Sequence, residues 1–77
     1  MDWYDVEDIL INGTKQQIET LRCPDCGGQL HYSYSGGEYL SIKCQKCRTI
    51  IREYKPPYGA NCEKFFGTEY TTGEAND

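Results

Sequence analysis

The hydrophobic positions of this chain repeat first at helical spacing and then at strand spacing. Over residues 2–11, Asp-Trp-Tyr-Asp-Val-Glu-Asp-Ile-Leu-Ile, the apolar Val6, Ile9 and Leu10 fall at i, i+3 and i+4, which lines one face of a helix. The pattern predicts a short amphipathic helix beginning near Asp2 or Asp5, with its acids in the first turns, where the helix dipole favours them. Asn12-Gly13 ends it, because Gly and Asn are common helix stops. Thr14 followed by Gln17 reads as a capping box. It starts a second helix from Lys15 to about Leu21, with Ile18 and Leu21 on one face. Helices this short are not stable alone in water, so both must pack on something.

From Gln29 the period drops to two. Leu30, Tyr32 and Tyr34 alternate with His31, Ser33 and Ser35, and Leu40 and Ile42 alternate with Tyr39 and Ser41 on a return strand over residues 38–43. Between them Gly36-Gly37 suits a tight hairpin turn. A third strand is predicted over Thr49 to Tyr54, stopped by Pro56-Pro57 because proline cannot continue a paired strand. Residues 58–67 read as an ordered loop or one helical turn, in which Phe65 and Phe66 are too apolar to be left entirely in water. Residues 71–77 offer no apolar anchor and are predicted to fray. The expected fold is a small α+β domain with two short N-terminal helices and a three-stranded antiparallel sheet. It divides into a helical segment (1–21), a strand module (22–55), an ordered C-terminal loop or turn (56–70) and a frayed tail (71–77).

Composition adds a difficulty. With 77 residues, 38% of them hydrophobic, and a mean hydropathy of −0.74, the chain is too small to be stable on its core alone and calls for a staple. It is also too small for an enzyme with a deep pocket. No apolar run approaches the roughly 18 residues of a membrane span, so no membrane partner is expected. The acidic start, Met1-Asp2-Trp3-Tyr4-Asp5, is unlike a secretory signal, which makes the cytoplasm the expected location.

The staple is legible in the cysteines. Cys23-Pro24-Asp25-Cys26-Gly27-Gly28 and Cys44-Gln45-Lys46-Cys47 enclose 17 residues, the spacing of a four-cysteine zinc site. Two thiolates from each of two tight turns complete a tetrahedron with no open position, and the predicted hairpin would bring the turns to one end. Gly27 and Gly28 permit the positive dihedrals such turns need and let backbone N–H groups approach the sulfurs. The spacing favours one structural Zn²⁺ bound by Cys23, Cys26, Cys44 and Cys47, ahead of disulfides or iron. The fifth cysteine, Cys62, reads as a small buried hydrophobe beside Phe65 and Phe66, with a reactive thiol or alternate ligand as the other reading. His31, the only histidine, reads as a surface residue on the polar side of a strand.

On these residues the chain resembles the zinc ribbon family, with its rubredoxin-like sequence of knuckle, hairpin, knuckle and third strand. The resemblance covers roughly residues 21–55 and implies a structural metal site. The chain departs from the family where Arg48 follows Cys47, a position usually taken by Gly, and where the second pair lacks the proline of the first.

Charge shapes the functional expectation. The net charge is −4, and it divides into −3 over residues 1–22, +2 over 23–55 and −3 over 56–77. A four-thiolate site leaves no position to activate water, and the chain shows no phosphate loop or paired-carboxylate motif, so no catalysis and no small-molecule substrate are expected. Seven Tyr, two Phe and one Trp exceed what so small a core can hide, and Tyr and Trp carry interface energy. A protein partner is therefore expected, with Asp2, Trp3, Tyr4, Asp5, Glu7 and Asp8 as its contacts. An acidic surface suits a basic target by electrostatic steering. In size and charge the chain resembles the small acidic immunity proteins of bacterial toxin systems, which implies an inhibitor that binds and neutralises a toxin, a nuclease or another enzyme. The alternative is a nucleic-acid-binding ribbon, or an accessory to transcription or translation. It would use Lys43, Lys46, Arg48 and Arg52, with Lys55 nearby and Tyr32, Tyr34, Tyr39 and Tyr54 stacking on bases. The acidic flanks and the negative charge of a four-thiolate zinc centre oppose it. The hairpin tip, Ser35-Gly36-Gly37-Glu38, carries one acid only and gives no support to a carboxylate pair inserted into a polymerase.

Overall fold

Two reciprocal capping boxes start the first two helices. At α1 (Trp3–Asn12), the Asp5 amide donates to Asp2 Oδ1 (3.1 Å) and the Asp2 amide donates to Asp5 Oδ2 (3.0 Å). At α2 (Lys15–Glu19), the Gln17 amide donates to Thr14 Oγ1 (3.1 Å) and the Thr14 amide to Gln17 Oε1 (2.8 Å). Each box satisfies amide groups that a helix start otherwise leaves unpaired. The protein is seen here in a computed structural model that describes residues 1–35, 39–54 and 59–73, with Tyr54 described through its backbone. The predicted Gly36-Gly37 turn, the stop at Pro56-Pro57, Lys55 and residues 74–77 lie outside the described residues.

The chain continues through β1 (Leu30–Ser35), β2 (Tyr39–Cys44), β3 (Ile50–Tyr54), α3 (Asn61–Phe66) and β4 (Glu69–Thr71). The four strands form one antiparallel sheet in the order β3-β2-β1-β4. Alternation decides its faces as predicted. Leu30, Tyr32, Tyr34, Leu40, Ile42 and Cys44 point inward and share one core with Val6, Leu10, Ile18, Leu21, Ala60 and Cys62 from the helical side. His31, Ser33, Ser41 and Lys43 occupy the other face, with Arg52 paired to Ser41 beside them. Among the described residues no helix is long and apolar enough to cross a membrane.

The sequence predicts three strands and the sheet has four. The additional strand, β4, pairs with β1 through His31↔Thr71, Tyr32↔Tyr70 and Ser33↔Glu69, so Thr71 is part of the sheet and not of a frayed tail. Tyr70 is the anchor. Its ring stacks on Phe66 at 3.9 Å between centroids and packs against Tyr32 at 6.2 Å. A three-residue strand carries no period for a pattern to reveal. The segment before it forms α3, six residues and more than one and a half helical turns, which buries Cys62 and packs Phe66 on the core, while Phe65 keeps 43% of its surface exposed.

Tyr32 ties α3 to the sheet. Its buried hydroxyl places its proton between the carbonyl oxygens of Cys62 (2.7 Å) and Gly67 (2.9 Å). Tyr32→Phe keeps the ring and strips both acceptors of their donor. A buried acceptor left in this state costs about 1–2 kcal/mol, so the melting temperature should fall by roughly 5–15 °C for a domain of this size. A thermal melt of the variant with its metal bound checks this, and an unchanged midpoint would mean that water takes over the two carbonyls.

Candidate metal centre

The two Cys-x-x-Cys turns are built alike. In the first, the Gly27 amide donates to the Cys23 carbonyl (2.8 Å) and the Cys23 amide to the Gly28 carbonyl (2.8 Å). In the second, the Arg48 amide donates to the Cys44 carbonyl (3.1 Å) and the Cys44 amide to the Thr49 carbonyl (2.9 Å). The correspondence extends to the sulfurs, which accept the Asp25 amide at Cys23 Sγ (3.4 Å) and the Lys46 amide at Cys44 Sγ (3.3 Å). Arg48 occupies the position that Gly27 holds in the first turn, and both lie in the left-handed region, Gly27 at φ 75° and Arg48 at φ 64°. The departure noted in the sequence is thus accommodated by an arginine in a conformation that Gly adopts at lower cost.

At Gly28 half of the expectation holds: its amide reaches the Cys26 sulfur as predicted, but not through a positive dihedral. Its backbone is not left-handed. A Cβ there would stand 2.6 Å from Lys46 Cβ and 3.2 Å from Cys44 Sγ, so the missing side chain is what lets the two turns close on each other. The Gln45 amide, donating to the Gln29 carbonyl at 2.9 Å, fixes the same approach.

The result is a cluster in which the sulfurs of Cys23, Cys26, Cys44 and Cys47 all lie within 4.8 Å of one another. Cys26 and Cys44 are 3.4 Å apart and Cys23 and Cys47 are 3.7 Å apart. Ligands at about 2.3 Å from a tetrahedral ion lie about 3.8 Å from each other, so the spacing fits a single ion held by four thiolates. Burial pushes the Cys23 thiol up to about 12, outweighing the amides of Asp25 and Cys26. Cys26 is raised as well: the Gly28 amide pulls it down, but the Cys44 thiol and burial prevail. Burial also opposes ionisation of Cys44, yet the amides of Cys47 and Lys46 and the thiols of Cys26 and Cys47 outweigh it and hold Cys44 at about 6. Cys47 is lowered chiefly by the hydroxyl and amide of Thr49. Ionisation is thus favoured more at the second turn than at the first, and a dication held by the four sulfurs would bind at the expense of the protons on the first pair.

The acids and aromatics of α1 separate into different surroundings. Tyr4 is 81% exposed, and Asp5 and Asp8 are exposed beside it. Asp2 and Asp5 also carry the helix cap, and Asp8 accepts from Asn12 Nδ2 at 3.0 Å. Trp3 is half-buried against the core, and its indole N–H donates to Asp25 Oδ2 in the first turn of the metal centre (3.1 Å). Glu7 is half-buried and hydrogen-bonded to Glu53 of β3. Burial first, then the bond and the charge of Glu53, raise the Glu7 carboxyl to about 7 from an ordinary 4.5. The sequence reading finds no carboxylate pair. This one joins a helix to a strand far along the chain and has no local signal.

Of the basic residues, Lys43, Lys46, Arg48 and Arg52 are all exposed. Lys43 and Arg52 lie on the outer sheet face and Lys46 and Arg48 in the second turn. Tyr32 and Tyr34 point into the core and are not available to stack on bases. Cys62 is fully buried, and burial raises its thiol to about 11, as suits an inert core residue. His31 is half-buried, with Nδ1 2.9 Å from Thr71 Oγ1 and Nε2 3.3 Å from Glu69 Oε1. No protein family, curated protein or solved structure matches this chain.

Proposed function

We propose that the protein is a zinc-stabilised, non-catalytic module that binds another protein through the exposed side of α1, most concretely as an inhibitor or immunity protein of a basic enzyme or toxin. Four thiolates without a histidine or carboxylate favour Zn²⁺ among the common intracellular divalent ions. They leave the ion no free position, so its contribution is to folding. The observation that carries the binding role is Tyr4, a large aromatic on a capped helix with four-fifths of its surface in water, beside Asp5 and Asp8. An aromatic anchor with acids at its rim is the form a binding surface takes for a basic protein. Glu7 and Trp3 are drawn into the fold and support the helix from behind.

Nucleic acid is the second reading. The exposure of Lys43, Lys46, Arg48 and Arg52 around the second turn and outer face favours it, and the inward turn of Tyr32 and Tyr34 weakens it. Zinc-loaded protein used as bait in a nuclease-treated and an untreated lysate separates the two. A stoichiometric protein partner that survives nuclease and is lost with Tyr4→Ala supports the proposal. A hot-spot aromatic of this kind is worth about 2 kcal/mol or more, roughly thirty-fold in affinity. Asp8→Lys should slow association and weaken its salt dependence. Recovery that disappears with nuclease would move the interface to the basic residues.

A further inference from the structure

Among the described residues, Thr72, 1% exposed, is the one buried polar residue outside the hydrophobic core. Its hydroxyl accepts the Leu30 amide at 3.0 Å and donates to the Leu21 carbonyl at 2.8 Å. Leu21 is the last core residue before the first metal turn and Leu30 the first after it. A single oxygen atom therefore bridges the entry and exit of the loop over residues 22–29, which carries Cys23 and Cys26. The surrounding bonds repeat the pattern. The Thr72 amide donates to the Leu30 carbonyl (2.8 Å), Gln29 Nε2 to the Thr72 carbonyl (3.0 Å) and the Gly73 amide to the Glu19 carbonyl (3.0 Å). Five hydrogen bonds from two residues thus hold the two stems of one turn at a fixed separation. The second turn needs no such clasp, because β2 and β3, which pair with each other, form its stems.

We infer that Thr72 is a positioning residue for the metal centre: the C-terminal segment acts as a latch that sets the spacing of the first cysteine pair, and so governs how tightly the ion is held. This rests on the metal reading above. The latch acts by geometry. Cys23 follows Leu21 by two residues, and the Cys23 amide already closes the turn on Gly28, so a change in the Leu21–Leu30 gap passes into the position of both sulfurs. Groups hydrogen-bonded directly to metal ligands are worth 10–100-fold in metal affinity; Thr72 acts one step further out, through the backbone of Leu21 and Leu30, so its effect is expected at the lower end of that range.

The test measures Zn²⁺ affinity by competition with a chromophoric chelator, and Co²⁺ absorption as a signature of tetrahedral thiolate geometry. Thr72→Val preserves shape and removes the hydroxyl. It should weaken Zn²⁺ binding by about 10-fold and alter the Co²⁺ spectrum, and Thr72→Ser should restore both. Tyr32→Phe is the control for stability alone, since its lost bonds lie at α3. It should lower the melting point and leave the Co²⁺ spectrum as in the wild type. If Thr72→Val does not fold, Gln29→Ala removes only the solvent-side arm of the clasp and should weaken binding several-fold. Wild-type affinity and spectrum in the folded Thr72 or Gln29 variant would overturn the latch and leave the metal reading intact. Equal spectral changes in Thr72→Val and Tyr32→Phe would also overturn it, reducing Thr72 to a packing residue. A wild-type protein that binds neither Zn²⁺ nor Co²⁺ would overturn the metal reading and the latch with it.

Discussion

Replacing Cys44 with Ser should abolish metal binding and cooperative unfolding together. Cys44 is the pivot of the site. It ends β2 inside the core, lies 3.4 Å from Cys26 Sγ, and receives the amides of both Lys46 and Cys47 at 3.3 Å. Those donors make it the cysteine most fully prepared as a thiolate, and a serine hydroxyl in its place stays neutral and binds a dication poorly. A structural zinc ion contributes about 10–16 kcal/mol of apparent binding energy. A domain of this length retains about 4–12 kcal/mol of net stability. The loss is as large as the whole, so the variant should show a broad, featureless melt. Metal content per chain and a thermal melt with and without chelator measure both halves of the prediction. A Cys44→Ser protein that melts cooperatively and is indifferent to chelator would mean that the core stands without the ion.

Glu7→Gln should stabilise the protein at pH 8 and leave it nearly unchanged at pH 5. The folded value of Glu7, about 7, lies above its ordinary 4.5 because of burial and then of Glu53. The protonated form is the one that favours the fold. Its contribution is complete below about pH 4.5 and is lost as the pH rises through 7, when two half-buried carboxylates face each other. Glutamine keeps the shape and a donor for Glu53 without the charge. After allowance for the water that reaches the pair, the gain at pH 8 is on the order of 1 kcal/mol, or roughly 4–8 °C in melting temperature. The thiol ligands impart their own pH dependence to both proteins, so the quantity to read is the difference between variant and wild type at each pH. A difference that is the same at pH 5 and pH 8 would show that the pair does not share a proton.

Where sequence and structure agree, the signal is local. The capping box of Thr14 and Gln17, the alternation from Leu30 to Ile42 and the two cysteine pairs each lie within a few neighbouring positions, and each takes the form expected of it. What was not legible depends on distance or on brevity. Thr72 finds its partners at Leu21 and Leu30, Glu7 finds Glu53, and Trp3 finds Asp25, contacts that no periodicity encodes. Helix α3 starts at Asn61 behind an N-cap, Ala60, that offers no side-chain bond, so nothing in the residues announces its start. Gly28 is read half correctly: its amide reaches a sulfur as expected, but the position demands a glycine for the space beside Lys46 and Cys44 and not for its dihedrals.

The strand order β3-β2-β1-β4 also imposes a timetable on assembly. Cys26 and Cys44 are 18 residues apart, brought together by the pairing of neighbouring strands, whereas β4 reaches β1 across a separation of 40 residues between His31 and Thr71. Short loops close at lower entropic cost, and hairpins form within microseconds. An ion captured by the paired β1 and β2 would therefore be in place before the last strand docks, and would act as a nucleus before it acts as a staple. For a chain that assembles in this order, the supply of ion during folding would govern the yield of native protein, independently of how stable the finished molecule is.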